Sequence, residues 1–303
     1  MRNLFVNRKL VNGPWGGGNN FLRAMFEYGP SFGYEISNNL NEKTDVIFVI
    51  DPRYDEVGIS INEIERFKSA NSRVKVAYRV NECDARKKVS NDVDPLVRRT
   101  SRVSDVCFFI SKWLRTYHSS GWGCQNNHVI LNGANTKFYH PGRSNKISLS
   151  NKKINLVTHH WSDNFMKGHD IYFNIDLWVS QNPGFTFTYI GRPHGKFHNT
   201  DVVKPIFGDD LAGTLGKFDV YISGSRFDPG PNHIVESLAL DLPTYAHIDG
   251  GGACEMVGDD HVYGGWSELE RILVGRNFTK NEFKPVDWKE CVREYTLGID
   301  RLF

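Results

Sequence analysis

Short runs of apolar residues recur along this chain, and segments with helical periodicity separate most of them. In the first half the runs are NLFVN, DVIFVI, VKVAYRV, DVCFFIS and HVILN, and the segments between them include INEIERFKSA, DPLVRRTSRVS and SKWLRTYHSSG. Runs that stay apolar throughout are typical of parallel strands covered on both faces, because such strands have no solvent side. The pattern therefore predicts doubly wound α/β structure.

This pattern occurs twice. It stops at FYHPGRSNKISLSNKK, which has no periodicity, and restarts with INLVTH, FTFTYIG, DVYISGS and LPTYAHID. A chain of 303 residues is long enough to form two cores. We predict one domain over residues 1–142, a second over residues 143–285 and a final helix over residues 286–303, with the linker between about Pro141 and Lys153.

Charge and cysteine content narrow the class of protein. The 37 basic and 35 acidic residues nearly cancel, so no nucleic-acid partner is expected. The five cysteines form no C-x-x-C pair and indicate neither a zinc site nor a disulfide framework. No signal-peptide pattern is present, and we expect a soluble, cytoplasmic protein. Basic residues in DARKK and VRRTSR leave a peripheral contact with a membrane surface open.

The first candidate site is a glycine-rich loop after the first predicted strand. In NGPWGGGNNFLRAMFEY, Gly16, Gly17 and Gly18 precede a helical run that begins near Asn19 or Asn20. Glycines let a backbone approach a ligand closely, and the amides of a helix N-terminus attract an anion. The loop does not match G-x-G-x-x-G, so an ordinary flexible turn is the alternative.

The second candidate site is YRVNECDARKK, which follows another predicted strand. Arg79, Glu82, Asp84 and Arg86 lie there within eight residues and suggest the rim of a pocket for an acceptor hydroxyl. A salt-bridge patch between domains is the alternative interpretation. Trp15, beside the glycine loop, is a candidate for stacking on a sugar face, although most tryptophans belong to cores.

The third candidate site is SRFDPGPNHIVESLALDLP. Asp228 ends a loop, a Pro-Gly-Pro corner follows, and a helix begins with Asn232 as its predicted cap. Glu236 lies about one turn into that helix. Carboxylates accept hydrogen bonds from sugar hydroxyls, but acids near a helix start also favour the helix dipole. Spacing alone does not separate the two interpretations.

Taken in order, GGGNNF, CFFISKWLRTYHSSGWGCQNNHVILNGANTKFYHP, FMKG, DVYISGSRFDPGPNHIVESLALDLP and DGGGACEMVGDD resemble family 4 of the retaining glycosyltransferases, over most of the chain. That family has the GT-B fold, in which two Rossmann-like domains face each other across a cleft. The resemblance implies that residues 1–142 form the acceptor domain and residues 143–285 the nucleotide-sugar domain. It also implies that the final helix returns to the first domain.

The resemblance also implies roles for individual residues. Asp228 takes the place of the first acid of an E-x7-E element and would contact the transferred sugar, and Glu236, the second acid, would contact the ribose. Lys167 of FMKG would bind the diphosphate. The family's arginine before this lysine is missing, and THHWSD stands there with His159 and His160 as candidate substitutes.

The implied reaction moves a sugar from a UDP- or GDP-sugar to a glycan or other hydroxyl acceptor, with retention and without a required cofactor or metal. A histidine common in the family's first domain is absent, with Asn81 or Glu82 nearby. The predicted catalytic residues are Asp228, Lys167 and Asn81. The predicted donor-binding residues are Gly16, Gly17, Gly18, Lys167, Asp228, Gly230, Pro231, Asn232, His233 and Glu236.

Three alternatives remain open. Asp92 and Asp94 form a D-x-D, and motifs of this kind bind a divalent metal in the other major glycosyltransferase fold. Asp94 followed by Pro95 is also typical of a helix start. A sugar-nucleotide epimerase shares the GT-B architecture. A sugar-binding protein would use the same domains without chemistry.

Overall fold

The computed structural model describes residues 1–13, 16–53, 59–88, 93–144 and 153–303. The chain forms two compact units, one from residues 1–132 together with 287–303, the other from residues 133–286. The predicted boundary between residues 142 and 143 falls inside the second unit. Most of the predicted linker lies outside the described residues.

The first unit is built on a six-stranded parallel sheet in the order β2-β1-β3-β4-β5-β6. The strands are β1 (Arg2–Val6), β2 (Tyr34–Ser37), β3 (Val46–Val49), β4 (Lys75–Val80), β5 (Val106–Phe109) and β6 (Asn127–Val129). The helices are α1 (Gly16–Tyr28), α2 (Ile61–Ala70), α3 (Asp94–Val103), α4 (Lys112–Tyr117) and the C-terminal helix (Trp288–Asp300).

Both faces of this sheet are buried, which explains its uninterrupted apolar runs. Leu4 points into a cluster with Phe21 of α1 and Tyr295 of the C-terminal helix. The next residue along the strand, Phe5, belongs to the opposite cluster, which includes Ile64 of α2. Successive side chains of a strand point to opposite faces, so both must be apolar when helices cover both.

The second unit is built on another six-stranded parallel sheet, in the order β12-β11-β10-β7-β8-β9. The strands are β7 (Ile154–His160), β8 (Phe185–Gly191), β9 (Asp201–Val203), β10 (Val220–Ser223), β11 (Thr244–His247) and β12 (Val262–Tyr263). The helices are α5 (His169–Gln181), α6 (Gly208–Leu215), α7 (Asn232–Ala239), α8 (Cys254–Val257) and α9 (Trp266–Gly275).

The predicted α/β class, with a parallel sheet in each half, is confirmed, and two helix starts need correction. Helix α1 begins at Gly16 and not near Asn19. The side chain of Asn19 instead bonds back to Val11, accepting from its N–H at 2.9 Å and donating to its carbonyl at 2.8 Å. Helix α7 has Pro231 at the N-cap position, so Asn232 is a helical residue and not the cap.

Each sheet contains one point where the strand order reverses. In the first sheet the reversal lies between β1 and β3, and in the second between β7 and β10. Loops diverge at such a point and leave a crevice beyond the carboxyl ends of the strands, where ligands of open α/β sheets bind. In the part of the chain that the structure describes, no helix is long and apolar enough to cross a membrane.

Candidate functional site

Lysine and aspartate meet at the strand-order reversal of the second sheet. Lys167 ends a 3₁₀ turn over Phe165–Lys167 that follows β7, and Asp228 lies in the loop after β10. The Nζ atom of Lys167 donates a hydrogen bond of 2.6 Å to Oδ2 of Asp228. The two side chains are 19% and 12% exposed, so the pair is largely buried but keeps some contact with solvent.

A close backbone contact brings these two loops together. Gly168 has φ of 96°, and a Cβ on it would lie 2.2 Å from the carbonyl carbon of Gly224. Only glycine fits this approach. Arg226 N–H also donates to the Met166 carbonyl at 2.8 Å, which ties the lysine turn to the aspartate loop. The glycine of FMKG thereby positions Lys167.

A second glycine contact positions Asp228 itself. Gly251 has φ of 68°, and a Cβ there would lie 2.6 Å from the carbonyl oxygen of Asp228. The N–H of Gly252 donates to that same oxygen at 2.9 Å. Arg226 is anchored by two hydrogen bonds of 2.7 Å to the carboxylate of Asp170. The Asp228 backbone is therefore held from both sides.

Glu236, one turn into α7, reaches the end of β7. Its Oε2 atom lies 2.8 Å from Nε2 of His159. On the other side of that imidazole, Nδ1 lies 3.1 Å from the hydroxyl of Tyr221 on β10. A row of hydrogen-bonded side chains, Tyr221, His159 and Glu236, thus runs from the sheet to the first part of the helix. Sequence analysis selected Glu236 and weighed His159 only as a substitute for a missing arginine.

The other candidate substitute, His160, points into the core. Its Nε2 lies 2.6 Å from the hydroxyl of Tyr172 and 3.3 Å from that of Thr158. Burial, and next the neighbouring His233, lower the pKa of His160 well below its usual range. A neutral, buried imidazole cannot replace an arginine charge, so His160 does not take that part.

The other predicted donor-binding residues surround the start of α7. His233 is buried, with Nε2 2.8 Å from Oγ of Ser223, and burial lowers the pKa of its imidazole. Gly230 N–H approaches Oδ1 of Asp228 at 3.4 Å. The contribution of His233 to a ligand would therefore come from its backbone at the helix start. Pro231 and Asn232 form that start.

Asn81, which follows β4, lies close to the glycine-rich start of α1. Gly16, with φ of 75°, opens α1, and Gly17 and Gly18 complete its first residues. A Cβ on Gly18 would lie 3.9 Å from the end of the Asn81 side chain. With its amide oriented to satisfy its neighbours, Asn81 accepts from Arg79 Nη1 at 3.0 Å and donates to the Ile50 carbonyl at 3.2 Å.

Two of the predicted acceptor-side residues lie in the interior. Arg79 is 1% exposed, donates from Nη2 to Oδ1 of Asn132 at 2.7 Å and stacks on the ring of Phe21 at 4.4 Å. Asp84 is 5% exposed and accepts from the Val93 N–H at 2.8 Å. These two residues stabilise the packing of the first unit and do not line an open surface.

The remaining acceptor-side residues differ in their placement. Glu82 and Arg86 form an ion pair of 2.5 Å near the end of β4. Trp15 lies outside the described residues, as does Asp92 of the D-x-D. The carboxylate of Asp94 accepts from the Asp84 N–H at 2.9 Å and from the Tyr117 hydroxyl at 2.8 Å, which suits a turn at a helix start. Within the described ranges, no group of three His, Cys, Asp or Glu residues could hold a metal ion.

Comparison with known proteins finds similar structures. No family model and no curated protein sequence matches the chain. Sucrose-phosphate synthase from Thermosynechococcus elongatus gives a TM-score of 0.66 at 12% identity, over 100% of this chain and 98% of that one. HepE from Anabaena, in complex with UDP-glucose, gives 0.70 at 14% identity, over 99% of this chain and 100% of that one.

A third similar structure is the apo form of the lipopolysaccharide outer core galactosyltransferase WaaB. It gives a TM-score of 0.64 at 11% identity, over 99% of this chain and 98% of that one. Similarity at this level of identity concerns the fold. The chain therefore has the GT-B fold, as predicted.

Proposed function

We propose that this chain is a glycosyltransferase that moves a sugar from a nucleoside diphosphate sugar to an acceptor hydroxyl, with retention at the anomeric carbon. The observation that supports this most is the grouping of Lys167, Asp228 and Glu236 at the reversal point of the second sheet. One cation for a diphosphate and two carboxylates for hydroxyl groups are the groups that such a donor requires.

The neighbouring structures support the same activity and suggest the donor. WaaB is named as a galactosyltransferase, and HepE was solved with UDP-glucose. We propose a UDP-sugar as the donor, with a GDP-sugar as the alternative, and a glycan or other hydroxyl compound as the acceptor. Residues 143–285 would bind the donor and residues 1–142 the acceptor, with Glu82 and Arg86 on the acceptor side.

Each polar group at the second sheet has a separate part in this proposal. Glu236 accepts hydrogen bonds from ribose hydroxyls, and Asp228 accepts them from the transferred sugar. Lys167 binds the diphosphate. Its ammonium has three N–H donors, so it can keep its hydrogen bond to Asp228 while it contacts phosphate oxygens. The ion pair thus holds the residue that binds phosphate, Lys167, beside the residue that binds the transferred sugar, Asp228.

Departure of the leaving group is the step that needs stabilisation. The bond between the anomeric carbon and the diphosphate oxygen breaks, and negative charge develops on the diphosphate. Lys167 and the amides at the start of α7 offset this charge without reorganising. Gly16, Gly17 and Gly18 at the start of α1 stay predicted donor-binding residues. The family resemblance implies that the acceptor attacks from the same face and that a phosphate oxygen takes its proton. Asn81 of the first unit stays a predicted catalytic residue.

The test is release of free nucleoside diphosphate. Thermal unfolding with UDP-, GDP- and ADP-sugars first identifies the donor, since a ligand at 100 times its Kd stabilises by about 2.7 kcal/mol. A transferase then releases diphosphate when an acceptor is added. Without an acceptor it releases diphosphate slowly, by transfer of the sugar to water. An epimerase would return an isomer of the donor, and a binding protein would return it unchanged.

Substitution of the lysine makes the test specific to this site. Lys167→Met should lower diphosphate release by about 10²–10³-fold, because a preorganised charge at the leaving group is lost. Lys196→Met, at an exposed position of the same unit, is the matched control and should release diphosphate at the parental rate. Equal rates for Lys167→Met and the parent would rule out the proposed role of Lys167.

A further inference from the structure

The partner of Glu236 is a histidine from a distant part of the chain. His159, at the carboxyl end of β7, and Glu236, on α7, are separated by 77 positions and meet at 2.8 Å between Nε2 and Oε2. Their side chains are 10% and 16% exposed. In the described part of the chain, His159 is the single hydrogen-bond partner of the Glu236 carboxylate. Little water is left to compete with this contact.

In the row of side chains Tyr221, His159 and Glu236, the chemistry of each group decides which atom donates each hydrogen bond. An ionised carboxylate only accepts hydrogen bonds, so Nε2 of His159 carries the proton that faces Glu236. In the neutral imidazole Nδ1 is then an acceptor, and the Tyr221 hydroxyl donates to it at 3.1 Å. The oxygen of that hydroxyl in turn accepts from the His159 backbone N–H at 3.1 Å. The ring orientation is fixed from both sides.

We propose that His159 is a positioning residue, which orients the Glu236 carboxylate so that its Oε1 atom meets the ribose hydroxyls of the donor. This inference rests on the proposed function, in which Glu236 binds ribose. His159 occupies Oε2 and removes rotational freedom from the carboxylate, so less entropy is lost when the ligand binds. Tyr221 fixes the imidazole and acts one step further from the ligand.

A purely structural pair would behave differently. If the contact only tied β7 to α7, its loss would weaken every nucleotide by the same factor. If the contact orients the carboxylate that binds ribose, its loss weakens the binding of nucleotides that have ribose hydroxyls and leaves the binding of nucleotides without them unchanged. The ratio of Kd for a 2′,3′-dideoxynucleoside diphosphate to Kd for the matching ribonucleotide separates the two roles.

The experiment measures this ratio by calorimetry on the full chain. The probes are UDP and GDP with their 2′,3′-dideoxy counterparts, and the pair that the parent binds more tightly is used. The variants are Glu236→Ala, His159→Ala and His159→Gln, whose amide N–H can replace Nε2–H. His198→Ala, which removes an exposed imidazole in the same unit, is the matched control.

We expect His159→Ala to lower the ratio about tenfold, which corresponds to about 1.4 kcal/mol, while the Kd of the dideoxynucleotide stays at the parental value. His159→Gln should restore most of the ratio, and His198→Ala should leave it unchanged. A parental ratio in His159→Ala, or an equal loss for both nucleotides, overturns the positioning role even if Glu236→Ala abolishes the ratio.

The proposed function fails by a different result. If the parent binds neither diphosphate, or if Glu236→Ala keeps the parental ratio, Glu236 does not bind ribose and the inference falls with it. If His159→Ala does not fold, the same Kd ratio is measured in Tyr221→Phe and tests the inference in its place. This variant should lower the ratio about threefold because the imidazole loses one of its fixed contacts, and a parental ratio there overturns the inference.

Discussion

Each sheet has one strand-order reversal, and the acids at the carboxyl ends of the strands are held differently in the two sheets. At the first sheet, Asp51 accepts hydrogen bonds from Arg8 at 2.5 Å and from Arg53 at 2.8 Å, and Glu82 pairs with Arg86 at 2.5 Å. At the second sheet, Glu236 contacts a histidine at 2.8 Å and Asp228 contacts a lysine at 2.6 Å.

The difference bears on what each edge can do. Burial alone would raise the pKa of Asp51, but its hydrogen bonds and charge contacts with Arg53 and Arg8 lower it. That carboxylate is held by fixed positive charges and stabilises the first unit. In the described part of the chain, the Glu236 carboxylate has one hydrogen-bond partner, His159, at its Oε2 atom, which leaves Oε1 for a ligand. We infer that Asp51 serves stability at the first edge, whereas Asp228 and Glu236 serve a ligand at the second.

The largest expected effect on stability tests the backbone contact behind the second edge. Gly168→Ala should lower the free energy of unfolding by about 2–4 kcal/mol, because its Cβ would lie 2.2 Å from Gly224 at a positive φ. Gly33→Ala is the matched control, since Gly33 has nearly the same backbone conformation, with φ of 88° and ψ of 19°, and no atom lies within 4 Å of its Cβ position. It should cost clearly less in urea unfolding. If both variants lose the same free energy of unfolding, the positive φ of the backbone, and not the contact with Gly224, causes the loss.

A smaller loss of stability is expected at the first edge. Asp51→Asn removes the charge that Arg8 and Arg53 share and should lower the free energy of unfolding by about 1–3 kcal/mol. Glu42→Gln, at an exposed position of the same unit, should have no measurable effect. If Asp51→Asn unfolds at the parental urea concentration, this arginine network does not stabilise the first unit.

Acid should act mainly on the second unit. Its buried His160, His169 and His233 have lowered pKa values, that of His169 about 4, because burial disfavours the charged ring. These groups stabilise the fold fully above their unfolded pKa of about 6.5, and the stability is lost as pH falls below that value.

The pH effect can be assigned to one residue. Between pH 6.5 and 5, the free energy of unfolding should fall by about 1 kcal/mol per pH unit for each such histidine. His169→Gln should reduce this slope, and the same change at the exposed His198 should not. A parental slope in His169→Gln would show that His169 is not held neutral in the fold.

The sequence predicted the central strands and missed three of the four edge strands. β2, β9 and β12 were not predicted, and each lies at a sheet edge, whereas the edge strand β6 was predicted from HVILN. Residues of β9 are partly or fully exposed, and β12 has two residues. Short strands with one solvent side lack the uninterrupted apolar run that identifies a buried strand.

At the candidate site, the sequence predicted individual residues better than their partners. Lys167, Asp228 and Glu236 were found because they belong to local motifs. The partner of Glu236 lies 77 positions away, and no local pattern connects the two. Arg79 was placed on a pocket rim because it is charged, but it is buried against Phe21 and Asn132. Its burial depends on tertiary packing, which overrides residue type.

The central claim is that the two acids of the second sheet bind different parts of one donor. Calorimetric titration of the parent, Glu236→Ala and Asp228→Asn with UDP and with UDP-glucose tests it most directly, or with the GDP pair if that base binds better. Glu236→Ala should weaken both ligands alike, by about 1.5–3 kcal/mol, because both contain ribose. Asp228→Asn should weaken the donor and leave the diphosphate close to the parental Kd, since the diphosphate has no sugar and the amide oxygen of Asn can still accept from Lys167. Parental diphosphate affinity in Glu236→Ala, or equal losses of diphosphate and donor in Asp228→Asn, would contradict this division.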